Sequence, residues 1–69
     1  MPLLINYFEL ERLKDFSQAL EKVDELRTLV PVEVANIELE EGAIKLVLHV
    51  PADSLKLVRK SFPQAVVVA

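Results

Sequence analysis

His49 is the only histidine in the chain, and the hydroxyl groups outside tyrosine are Ser17, Thr28, Ser54 and Ser61. Nucleophilic catalysis of the triad kind needs the imidazole oriented by a carboxylate and within reach of a hydroxyl. None of these four hydroxyls stands in a recognisable nucleophile context, so His49 reads as a strand residue at a sheet surface. The 11 carboxylates offer two other chemistries, an acid/base pair or a hard-cation site. They alternate with lysine and arginine along the first helical segment and lack the dense Asp/Asn spacing of a calcium loop. That is the pattern of a solvated face. The single glycine, Gly42, excludes both glycine-rich phosphate fingerprints. With no cysteine there is neither a disulfide framework nor a thiolate metal site. No catalytic set, metal or cofactor is therefore expected, and the chain does not read as an enzyme.

Composition bounds the remaining choices. The 69 residues are 52% hydrophobic and carry a net charge of −3, which suits one globular domain and excludes a disordered chain. No apolar run approaches the roughly 20 residues of a membrane span, and MPLLINYFELE lacks the basic start and apolar stretch of a signal peptide. As written, the chain is expected to be soluble and cytoplasmic. A domain of this size buries only about 60% of its unfolded surface. Yet it carries 12 leucines, 10 valines and 3 isoleucines, more aliphatic surface than so small a core hides.

Periodicity places those residues. MPLLI at positions 1–5 is a short strand candidate. Asn6 and Glu9 occupy the first and fourth places of a capping box, with Ile5 and Leu10 as its hydrophobic staple. A helix is then expected to about Thr28, with Leu13, Phe16, Ala19, Leu20, Val23 and Leu26 on its apolar face. Glu9/Arg12, Glu11/Lys14 and Asp24/Arg27 are charge pairs three apart on the other face. Residues 32–40 and 43–50 form a hairpin around Glu41-Gly42, where glycine accepts a positive φ. The implied register pairs Ala35/Leu48, Ile37/Leu46 and Leu39/Ile44 on one face and Glu38/Lys45 on the other. The outer face also receives Val34 and Val47, beside Asn36 and His49. A second helix follows Pro51-Ala52-Asp53-Ser54 and ends before Pro63, with Leu55, Val58 and Phe62 inward. QAVVVA closes the chain as a strand.

The order β-α-β-β-α-β is the split βαβ, ferredoxin-like arrangement: α+β, with a four-stranded antiparallel sheet and two helices on one face. The hairpin's first strand and the terminal strand are expected at the sheet edges. Val66, Val67 and Val68 then make an edge without charge or proline, a pattern soluble proteins avoid. Together with Val34 and Val47 they are the candidate contact surface for a second copy or another protein. Nucleic acid is not an expected partner. The hairpin and terminal strand hold no aromatic for base stacking, and Lys56, Arg59 and Lys60 complement a helix C-terminus. Residues 1–41 hold ten acids against four bases, and residues 42–69 one acid against four bases, a split that can orient a complementary contact.

From Phe16 onward the spacing resembles the small ferredoxin-like domains of inner-membrane assembly proteins in type II secretion and type IV pilus machines. The residues carrying it are Leu20, Val23 and Leu26; Val32 and Val34; Ile37 and Leu39; Gly42 with Ile44, Leu46 and Leu48; and Val50-Pro51-Ala52 with Leu55. The resemblance implies a non-catalytic module that dimerises and holds neighbouring subunits, periplasmic if residues 1–69 are an excised domain. A second resemblance, to ACT-type regulatory domains, implies a small-molecule sensor with its ligand at a dimer seam. In such domains a glycine-containing loop follows the first strand, whereas Asn6-Tyr7-Phe8 stands here.

Overall fold

In the computed structural model, which describes residues 2–68, the first strand is longer than the sequence suggests. Met1 and Ala69, at the ends of the expected first and last strands, lie outside the described residues. Strand β1 runs Leu3–Glu9, a 3-10 turn spans Leu10–Arg12, and helix α1 begins only at Leu13 and ends at Leu26. The hairpin comprises β2 (Glu33–Glu40) and β3 (Ala43–His49). A second 3-10 turn, Ala52–Ser54, leads into α2 (Leu55–Ser61), and β4 is Val66–Val68. All four strands are antiparallel in one sheet, ordered β2-β3-β1-β4. This is the expected α+β, ferredoxin-like order with β2 and β4 at the edges.

The capping box is overturned by the ladder. Asn6 pairs with Leu46 inside β1, and all seven β1 residues find partners on β3, from Leu3↔His49 to Glu9↔Ala43. A backbone bond from Leu10 N to Gly42 O at 3.1 Å prolongs this edge-to-edge contact past the strand. Those long-range bonds outcompete a local cap worth about 1 kcal/mol. Helix α1 accordingly starts without a side-chain cap at Arg12. Of the expected helix charge pairs, Asp24–Arg27 forms at 3.2 Å, while Arg12 turns forward to Asp15 at 3.0 Å.

The hairpin register holds from Asn36↔Val47 to Glu40↔Ala43, with Gly42 at φ 70° in the turn. Glu38 and Lys45 lie opposite one another, with Nζ 3.8 Å from Oε2. Beyond Asn36 a bulge at Ala35 shifts the pairing, so Leu48 faces Val34 instead of Ala35. Because successive strand residues alternate faces, this one extra residue turns Val34 toward the helices. Among the described residues the connected core cluster then sits on the helix side of the sheet. Leu4, Leu46, Leu48 and Val50 pack with Ala19, Val23 and Leu26 of α1 and with Val58 and Phe62 at α2, all with little or no exposure. Full burial of each large aliphatic contributes about 1.5–3 kcal/mol.

Candidate functional site

The side of the sheet away from the helices carries the candidate contact surface. Its register rows are Glu33–His49–Leu3–Val68, then Asn36–Val47–Ile5–Val66, then Glu38–Lys45–Tyr7. The rows grade from acidic at β2 to wholly aliphatic at β4. Val66 and Val68 are 58% and 42% exposed, and Leu3 and Ile5 beside them are half-buried. Tyr7, at 53% exposure, is the aromatic of this face, and it neighbours Lys45, Glu9 and Glu38 rather than a basic surface.

The five expected contact valines do not share this face. Val66 and Val68 do, and both are open. Val47 is on it but only 7% exposed, already covered within its own chain. Val34 and Val67 pack against the helix-side core, Val34 because of the bulge and Val67 because it alternates with its neighbours opposite Leu4. The face instead recruits Leu3, Ile5 and Tyr7, which local sequence signals divide between a short strand and a helix start.

Glu33 stands opposite His49 across the β2–β3 pair, but the hydroxyls fall on other elements. His49 ends β3 on the outer face, whereas Ser17 lies on α1, Ser54 before α2 and Ser61 at the end of α2. Thr28 Oγ1 donates to Glu25 O at 2.7 Å, a local bond that closes the end of α1. Ser54 Oγ donates to Asp53 Oδ1 at 3.4 Å. Lys56, Arg59 and Lys60 are exposed along α2. Among the described residues no three of His, Asp and Glu converge closely enough to hold a metal ion.

One concavity was not anticipated. A cleft of about 250 Å³ opens on the helix side, where Asn6 and Phe8 of β1 meet α1 and the chain around Phe62. Asn6 is its buried polar member. A signal for it was present in the sequence: in Leu4-Ile5-Asn6-Tyr7-Phe8, strand alternation puts Asn6 on the apolar side with Leu4 and Phe8. The same residues also spell a helix cap, which is why sequence alone does not single the pattern out. Among the described residues no helix is long and apolar enough to cross a membrane. Compared with protein-family models, with curated proteins and with solved structures, the chain matches none.

Proposed function

We propose that this chain is a non-enzymatic interaction module that associates with a second copy of itself through the outer sheet face and the β4 edge. The observation that carries the reading is the exposure of Val66 and Val68 on an edge strand that bears no charge. The two edges differ in what they would do on self-pairing. Two β2 edges would bring Glu33, Glu38 and Glu40 of each copy together, and like charges across a strand pair are destabilising. Two β4 edges meet with valine alone. Covering Val66, Val68 and the adjoining Leu3 and Ile5 yields about 25 cal/mol for each Å² of apolar surface removed from water. The resemblance to secretion and pilus assembly domains implies the same kind of module.

Sedimentation velocity from low to high micromolar concentration tests this. The parent chain is expected to dimerise, and Val66→Lys to remain monomeric with an unchanged circular dichroism spectrum. The substitution belongs at Val66 because its side chain points outward; a lysine at Val67 would be forced against the core. A parent chain that stays monomeric throughout that range, with a sedimentation coefficient equal to that of Val66→Lys, would rule the reading out.

A further inference from the structure

Asn6 is only 8% exposed and is the single polar residue buried among the described residues. It stands between Leu4 and Phe8 on the helix side of β1, opposite Leu46, where the alternation calls for an aliphatic side chain. Among the described residues its side chain makes one hydrogen bond, Nδ2 donating to Tyr7 O at 3.4 Å, beyond the usual 2.7–3.2 Å range. Its Oδ1 accepts none there. Buried amides are normally satisfied, because desolvation without a partner is costly. No side-chain N or O atom among the described residues is both sealed from solvent and unpaired, so Oδ1 keeps an opening. Asn6 lines the cleft, whose wall also includes Phe8, Gln18, Ser61, Phe62 and Gln64.

We propose that this cleft is a binding site for a small, flat, uncharged molecule bearing a primary or cyclic amide edge. The carboxamide of Asn6 presents a donor and an acceptor side by side, and an amide edge is the group that answers both at once. Phe8 and Phe62 supply apolar walls for a flat ring, while Gln18, Ser61 and Gln64 add neutral donors and acceptors. The charged members, Asp15 and Lys22, are one of each sign. A volume of about 250 Å³ lies below the 300–1,000 Å³ of drug-sized pockets and suits a single ring. The cleft is on the opposite side of the sheet from Val66 and Val68, so ligand binding and self-association are separable.

NMR titration of the full chain with benzamide, and with benzoate as its anionic isostere, tests the site. Benzamide is expected to bind in the millimolar range, shifting the side-chain amide signals of Asn6, Gln18 and Gln64, with benzoate at least about tenfold weaker. Asn6→Leu is expected to abolish the benzamide shifts while melting no lower than the parent, because leucine suits the inward position. Gln18→Ala, an exposed change that leaves the core alone, should weaken benzamide several-fold. Absence of shifts with benzamide, or benzoate binding as tightly, overturns the proposal. So does an Asn6→Leu protein that melts below the parent while Gln18→Ala leaves affinity unchanged, since Asn6 would then be a packing residue.

Discussion

Gly42 and Asn6 show how one residue can be dictated by backbone or by surroundings. Gly42 holds φ at 70°, a region that L side chains enter at a cost, yet a Cβ added there would meet no atom within 4 Å. Any penalty of Gly42→Ala is therefore conformational. The variant is expected to lose about 1 kcal/mol in urea unfolding with an unchanged m-value. The need for glycine was legible because Glu41-Gly42 sits between two alternating runs. Asn6 is ambiguous in sequence because residue type admits two uses for asparagine, helix cap and strand interior. The choice between them belongs to the partner strand. Val66 and Val67 repeat the lesson: identical side chains, adjacent in sequence, differ because one alternates outward and the other packs on the core.

At the level of elements, pairing outweighs local signal. β1 is apolar on both faces up to Phe8 apart from Asn6, and it lies between β3 and β4. Its seven pairs with β3 contrast with the three it makes with β4, Leu3↔Val68 to Ile5↔Val66. Hydrogen exchange should follow that asymmetry. In the monomeric Val66→Lys chain, the β1 and β3 amides bonded to one another are expected to exchange slowest, through global unfolding, and those of β4 to exchange fastest among the strands. The bulge at Ala35 also belongs to this scale. It keeps Glu38↔Lys45 in register and still brings Val34 onto the core, which a straight strand would not do. At the far end, Leu39 shares the Ile44 side as the pairing rule requires but is 76% exposed, and Ile37 on the same side is 46% exposed.

For the whole molecule, one layer of helices covers one side of a four-stranded sheet, and among the described residues no layer covers the other. Its β2 half is solvated by Glu33, Glu38 and Lys45, and its β4 half is aliphatic. The proposed association of two copies through that half would make stability depend on concentration. The melting temperature of the parent chain is expected to rise as the protein is raised from low to high micromolar concentration. That of Val66→Lys should stay constant. Differential scanning calorimetry distinguishes the two.

Hydrophobic periodicity, the proline positions and the Glu41-Gly42 turn determined the order of elements from sequence alone, and with it the α+β architecture. These are local signals, set by the period of apolar residues and by which residues tolerate a turn. Tertiary structure decided where β1 ends, which face Val34 and Val67 take, and that Asn6 is buried beside a cleft. Each of those depends on the register of a distant strand, where a displacement of one residue exchanges core for surface.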